Sequence, residues 1–278
     1  MKAAAFDYVR PSSVTDAVAL VGGSGSDKTE CQFIAGGQSL LATMNLRVSS
    51  PGMLIDVSRL PELNATIEEQ DAVRFGACVT HSTIEDGLVP DPSRGMMPLV
   101  ASKIAYRAVR NRGTLGGSLA LADPSADWVT VLPALGAKVV LASSRGRRAV
   151  EAAEFTTGIY ETERAADEMI LEISVPKLSS SARWGFAKFC RKSGEFASSI
   201  AAIVIDPARN YSRLVLGGVA GAPVVLRGAS QAMMDAASPE SIIAASEGDL
   251  NDRAELFDAY QRRLHSVMIS RAIAQVFS

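Results

Sequence analysis

Histidine is nearly absent from this chain: among 278 residues only His81 and His265 occur, which excludes a catalytic or metal centre built on several histidines. Cysteine is almost as scarce. Cys31, Cys78 and Cys190 lie far apart and match none of the paired spacings that hold zinc or iron–sulfur clusters, so each reads as a small buried hydrophobe in a reducing compartment. No apolar run approaches the roughly 20 residues needed to cross a bilayer, and the opening MKAAAFDYVRPSS lacks a signal-peptide core, so a cytoplasmic location is expected. A formal net charge of -2 supplies no positive field for nucleic acid, which is discounted as a main partner. The Rossmann pattern GxGxxG and the phosphate loop GxxxxGK[ST] are both missing, which disfavours a nicotinamide or ATP enzyme of the usual kind. Demanding chemistry in such a chain is expected to come from a cofactor.

What is present is a globular composition, 47% hydrophobic and 21% charged, at a length that favours two domains. Ser12 to Val21 carries Val14, Ala17, Val18 and Val21 at helical spacing behind a serine cap, with Gly22-Gly23 as its stop and SGSDKTE as a following loop. Strands are expected at Gln32 to Ala35, Met53 to Val57, Val73 to Val79 and Lys138 to Ala142, an alternation that indicates an α/β or α+β domain. Near Leu171 a strand runs into Pro176 and a serine-rich stretch, and a boundary falls there. Beyond it FAKFCRK, SIAAIVID and RLVLGGVAGAPVVL read as strands of an antiparallel sheet, with DPARN as a turn. Leu256, Tyr260, Leu264, Met268, Ala272 and Val276 then mark the core stripe of a terminal helix.

Two glycine pairs stand in similar settings. Gln32 to Leu41 reads QFIAGGQSLL, and Arg110 to Asp127 reads RNRGTLGGSLALADPSAD. Adjacent glycines allow positive φ and close main-chain approach, so two facing loops of this kind can clamp a diphosphate through N–H groups without a lysine or arginine. Gln38, Ser39, Thr114 and Ser118 would add side-chain donors. Both pairs are equally compatible with plain tight turns, since the chain has 22 glycines and also pairs them at Gly22-Gly23 and Gly217-Gly218.

IAGGQSLLATMNLR (34–47), RFGACVTH (74–81) and RNRGTLGGSLALADPSADW (110–128) together resemble the FAD-binding medium subunit of molybdenum hydroxylases, the xanthine dehydrogenase and carbon monoxide dehydrogenase flavoprotein family. The motifs occur in family order, and the resemblance extends over essentially the whole chain. It implies an α+β protein: a vanillyl-alcohol-oxidase-type FAD-binding fold at 1–176, divided into two α/β subdomains at about 1–58 and 59–176. A C-terminal domain at 177–278 follows, with a small antiparallel sheet and helices.

The resemblance also implies site residues. Ile34, Ala35, Gly36, Gly37, Gln38, Ser39 and Leu40, with Thr114, Leu115, Gly116, Gly117 and Ser118, match the family's two diphosphate-holding turns. Asp127 matches an acidic residue that hydrogen-bonds the flavin polyol chain, a role suited to a carboxylate; it also reads as a helix N-terminal charge beside Trp128. Lys188 matches a lysine close to the flavin, where a cation favours the anionic reduced form; its alternative is a solvated strand lysine. Ile104 and Ile170 fall at aliphatic positions near the cofactor that ordinary core residues would also fill. Gln38 stands where the family often has histidine, and Glu195 where aspartate is frequent. His81 reads as a helix N-terminal or packing residue rather than a catalyst or covalent anchor.

The implied function is electron transfer: noncovalent FAD would take electrons from a small iron–sulfur subunit and pass them to an external acceptor. Molybdenum cofactor and iron–sulfur clusters would sit only on the large and small partners, in a heterotrimer assembling as a dimer of heterotrimers. No side chain is nominated as catalytic or as a metal ligand. Two alternatives are a self-sufficient flavin oxidase or reductase of the same fold, and a cofactor-maturation protein that has lost the flavin. The substrate and the electron acceptor are not readable from these residues.

Overall fold

The computed structural model describes residues 2–22 and 31–277, so the SGSDKTE loop and the second glycine of the Gly22-Gly23 stop lie outside the described residues. The chain opens with β1 (Asp7–Val9), α1 (Val14–Gly22), β2 (Cys31–Ile34), α2 (Leu40–Asn45) and β3 (Met53–Asp56). The three strands form a parallel sheet in the order β1-β3-β2, with Asp7 and Cys31 both opposite Met53. Parallel strands need crossovers, which the two short helices supply. Asp56, at the end of the central strand, accepts from Arg10 Nη2 at 3.0 Å, from the Ser58 N–H at 2.9 Å and from the Tyr8 hydroxyl. These donors outweigh its partial burial and hold its carboxyl down at about 2.

Next come α3 (Pro61–Asn64), β4 (Thr66–Glu68), β5 (Ala72–Gly76), α4 (His81–Glu85), α5 (Met96–Ser102), α6 (Arg107–Arg110), α7 (Leu115–Leu121) and α8 (Asp127–Leu135). Then follow β6 (Lys138–Ser143), β7 (Gly146–Glu151), α9 (Ala152–Phe155), β8 (Thr156–Gly158), β9 (Glu161–Thr162) and β10 (Met169–Pro176). A second sheet has the order β4-β5-β10-β6-β7 and is antiparallel throughout. All nine residues of α8 are buried, Asp127 and Thr130 included, as a helix otherwise apolar on every side requires. The helix lies between this sheet and the next one, and Tyr211 and Arg213 of the latter donate to the carbonyls of Ala134 and Pro133 at its C-terminal end.

The third sheet, order β11-β12-β13-β14, comprises β11 (Arg183–Phe189), β12 (Ser199–Asp206), β13 (Tyr211–Gly217) and β14 (Val224–Val225). Every residue of β12 is buried. Its side chains alternate between two cores: Ile200, Ala202 and Val204 join the core shared with α8 and the second sheet, whereas Ala201, Ile203 and Ile205 join a core under the closing helices. Those helices are α10 (Arg227–Met234), α11 (Pro239–Asn251) and α12 (Ala259–Phe277).

The expected strands are present within a residue or a few at each end. The terminal helix differs from expectation: Leu256 lies in a separate 3-10 turn and Tyr260 is exposed, while His265, Met268, Ile269, Ala272, Ile273 and Val276 are buried. A stripe stepping by four residues overshoots a full turn by about 40° each time, so it leaves the core-facing side, whereas alternating steps of three and four stay on it.

Candidate functional site

The three glycine-bearing motifs meet at one seam. After Ile34 the chain turns through Gly36 and Gly37, the latter at φ +71°, into α2. A Cβ on Gly36 would stand 1.9 Å from the Arg112 carbonyl oxygen and 3.1 Å from the Gly113 Cα, so the first loop rests directly on the residues that precede TLGG. The second loop is in turn bound to the RFGACVTH segment. The N–H groups of His81, Leu115 and Gly116 donate to the carbonyls of Gly113, Val79 and Ala77 at 2.9 Å each, and Thr80 and Thr114 form an isolated bridge.

The loops differ in what they offer a ligand. In the second, the N–H groups of Leu115 and Gly116 are spent as above, the Gly117 N–H donates to the Thr114 Oγ1 cap at 3.0 Å, and the Ser118 N–H donates to the Thr114 carbonyl at 3.0 Å. Leu115 and Gly116 are buried, and a Cβ on Gly116 would meet Ala77 at 2.5 Å; the missing side chain there serves packing between loops. Gly117 and Ser118 form the accessible part. In the first loop, by contrast, the N–H groups of Gly36, Gly37, Gln38 and Ser39 donate to no other described residue. Gln38 folds its amide back onto the Gly36 carbonyl at 3.3 Å, and Ser39 makes no side-chain cap for α2. Main-chain donors left free in a turn containing a left-handed glycine are the ingredients of an anion-binding concavity.

Asp127 and Lys188 come together although 61 positions separate them in sequence. Asp127 is the first residue of α8 and Lys188 lies in β11, opposite Ile200. Lys188 Nζ stands 2.8 Å from Asp127 Oδ2, with the two side chains only 8% and 6% exposed, so the solvated-lysine alternative does not apply. The ammonium also reaches the Lys103 carbonyl at 3.3 Å. Burial pushes the Asp127 carboxyl up, opposed by the Lys188 charge and hydrogen bond. Asp127 Oδ1 is buried with no partner among the described residues, an acceptor that a ligand hydroxyl would satisfy.

Ile104 is half-buried beside Lys103, and its carbonyl accepts from Arg110 Nη1 at 2.9 Å. Arg110 also grips Glu85 through two bonds of 2.7 and 2.9 Å, which holds the 104–110 segment and its left-handed Ala105 in place. Ile170 sits instead in the core of the second sheet, opposite Leu141, and is 5% exposed. Residues missed in the sequence include Tyr106 and Gly194. Gly194 has φ +88°, and a Cβ there would lie 2.9 Å from the Tyr106 ring, so the loop before Phe196 packs onto the segment carrying Lys103 and Ile104. A glycine followed by an exposed aromatic was the available signal. His81, noted as a packing residue, begins α4 and accepts from the Trp128 indole N–H through Nδ1 at 3.1 Å.

A cavity of about 490 Å³ lies elsewhere, among Lys138, Arg148, Glu151, Glu154 and Glu163, and contains none of these residues. Most of its charged groups are ion-paired, Lys138 with Glu151 and Arg148 with Glu163 and with Glu168 behind it. Among the described residues no group of three or more histidine, cysteine or acidic side chains is placed to hold a metal, and no helix is long and apolar enough to cross a membrane.

A parallel βα unit abuts an antiparallel α+β unit along two glycine segments, and a third sheet contributes a buried cation, which defines an α+β protein with a glycine-lined seam. The chain belongs to the family described as the FAD binding domain in molybdopterin dehydrogenase, whose model matches residues 4–178. It is 36% identical over 290 residues to the nicotine 6-hydroxylase medium subunit of Paenarthrobacter nicotinovorans, covering 99% of this chain and 98% of that one. It is also 36% identical over 287 residues to the carbon monoxide dehydrogenase medium chain of Hydrogenophaga pseudoflava, covering 96% of each. The solved structure of carbon monoxide dehydrogenase from H. pseudoflava, in a form lacking the Mo-pyranopterin moiety, superposes with a TM-score of 0.90 at 32% identity, over 100% of this chain and 99% of that one. Similarity at full length to medium subunits of dehydrogenases places this chain among the oxidoreductase flavoprotein subunits of the molybdenum hydroxylase type.

Proposed function

We propose that the chain holds FAD noncovalently across the seam and relays electrons from a small iron–sulfur subunit to an external acceptor, while a large subunit carries the molybdenum cofactor and binds the substrate. The observation that carries the site is the row of N–H groups from Gly36 to Ser39, which find no acceptor among the other described residues, set beside the Arg112–Gly113 segment. These donors suit a diphosphate, with the side-chain-free edge of Gly117 and the Ser118 hydroxyl facing them from the other loop; Thr114, Leu115 and Gly116 support that loop from behind, and Ile34, Ala35 and Leu40 flank the first. The unpaired Asp127 oxygen suits a polyol hydroxyl, and Lys188 supplies a cation whose field disfavours oxidised over anionic reduced flavin. Bound FAD supplies the redox chemistry itself. Ile104 lies near the Lys188 end, and Ile170 acts from the core.

On this reading residues 1–176 form the FAD-binding domain, in subdomains of about 1–58 and 59–176. Residues 177–278 form a C-terminal domain, and the complex is a dimer of heterotrimers. Similarity of 36% both to a subunit of a nicotine hydroxylase and to one of a carbon monoxide dehydrogenase fits a chain that never meets the substrate. The test is the visible spectrum of the purified chain, with release and chromatography of any yellow cofactor and metal analysis of the same sample. FAD without iron or molybdenum supports the proposal. A colourless chain that stays colourless after incubation with FAD refutes it, and turnover of an organic substrate by the chain alone would favour a self-sufficient oxidase.

A further inference from the structure

His81 is buried at the seam, only 5% exposed, in contact with groups that fix both its protonation and its orientation. Nδ1 accepts the Trp128 indole N–H at 3.1 Å. An indole nitrogen only donates, so Nδ1 must present its lone pair and the single proton of the neutral ring must sit on Nε2. The ring stays neutral because burial, helped by the Arg110 charge, lowers its pKa to about 4. Arg110 is itself ion-paired with Glu85, so burial is the larger cause.

The Nε2 edge of the ring lies against Gly113. A Cβ there would stand 2.9 Å from both Cδ2 and Nε2, while the Gly113 carbonyl accepts the His81 main-chain N–H at 2.9 Å. Gly113 in turn abuts Gly36. The ring edge, Gly113 and the first glycine loop are therefore neighbours in series, and Nε2–H has no acceptor among the described residues. Nε2 does not belong to the fully buried side-chain atoms that lack a partner, so this N–H, at the edge of a largely buried ring, keeps an opening to solvent through which an oxygen can reach it.

We propose that His81 is a binding residue of the clamp, whose Nε2–H, held in one tautomer by Trp128, is the donor kept for a phosphate oxygen at the Gly36–Gly113 seam. The inference rests on the FAD-binding reading above. A neutral donor here binds the anion without proton uptake, so it adds no pH dependence to binding between pH 6 and 8. A histidine titrating near its ordinary value would add one.

Because the chain has only two histidines, ring nitrogen resonances of the full chain labelled with 15N-histidine are assigned with one variant, His265→Asn. The FAD-free chain is expected to show His81 with a protonated Nε2 and a bare Nδ1 from pH 6 to 8, and adding FAD is expected to move the Nε2 resonance. In FAD titrations His81→Gln, whose amide reaches the Nε2 position, should bind within about threefold of the parent chain. His81→Asn, whose amide reaches only the Nδ1 position and still serves Trp128, should bind about tenfold or more weakly, the loss of one hydrogen bond to a charged group. An Nδ1–H tautomer, an Nε2 resonance indifferent to FAD, or full affinity in His81→Asn would overturn the inference and leave the clamp standing. A parent chain that takes up no FAD would overturn the clamp, and this inference with it.

Discussion

Replacing Lys188 by methionine probes the site and the fold together. The 2.8 Å separation in a nearly closed environment gives a gross attraction of about 6 kcal/mol at an effective dielectric constant of about 20. Desolvation of both ions cancels much of it, so the pair as a whole adds little net stability. Removing one partner is another matter. Lys188→Met leaves Asp127, whose other oxygen already lacks a partner, buried and uncompensated, and it should destabilise the chain by about 3–5 kcal/mol. Asp127 then escapes by taking up a proton, since burial already pushes its carboxyl up. Lys188→Met/Asp127→Asn removes the charge as well and should recover much of the loss. Urea unfolding of the parent, both single variants and the double variant closes a thermodynamic cycle, with an expected coupling of about 2 kcal/mol or more. A coupling below about 0.5 kcal/mol would show that the two groups do not share a dry contact, and the assignment of Asp127 Oδ1 as a kept acceptor would fall with it.

Where Lys188→Met still retains FAD, its midpoint potential should be lower than in the parent chain, because the cation that favours anionic reduced flavin is gone; redox titration reads this directly. Gly37→Val and Gly117→Val should abolish flavin retention in a chain that still folds, the first by forcing a β-branched residue to φ +71° in the donor turn, the second by obstructing the exposed end of the other loop; normal flavin content would refute the assignment at that position. Gly116→Val should instead fail in thermal stability, since its side chain would enter Ala77, and circular dichroism melts distinguish this from a binding defect. Stability should also fall in mild acid. His81 and His265 are held neutral to about 4 in the fold but titrate near 6.5 when unfolded, so stability is complete above pH 6.5 and falls by about 1.4 kcal/mol per pH unit per histidine down to about pH 4. Unfolding curves at pH 7, 6, 5 and 4 measure the slope, and a flat profile would refute it.

The sequence made the strands and the glycine turns legible because each rests on local signals: β-branched runs, glycine pairs and the DPARN turn, whose Asn210 does adopt a left-handed φ of 49°. Long-range pairing left no such signal. Lys188 reads locally as one of several polar residues in a strand, and only the fold brings it to Asp127 in a dry contact. Gly36 and Gly116 were legible as positions that exclude a side chain, but the reason was not. The atoms that fill the space belong to Arg112 and Ala77, distant in sequence and adjacent only after the loops dock. The family resemblance marked both glycine turns without separating the residues whose N–H groups are accepted by no other described residue from those that brace the loops.

That separation bears on how much of the chain the site requires. The family model ends at residue 178, yet Lys188 and Gly194 lie beyond it, and the core that buries α8 continues through Ile200, Ala202, Val204 and Val215 of the third sheet. Without those strands Asp127 would keep its place at the start of α8 but lose its counter-ion, and one side of a wholly buried helix would face water. The third sheet therefore supports α8 and the second sheet and is also the source of one proposed site residue. A physical unit drawn by burial and charge extends past the sequence-defined domain. The C-terminal helices that cover the other face of β12 follow from the same requirement, since a strand buried on both faces needs a second core.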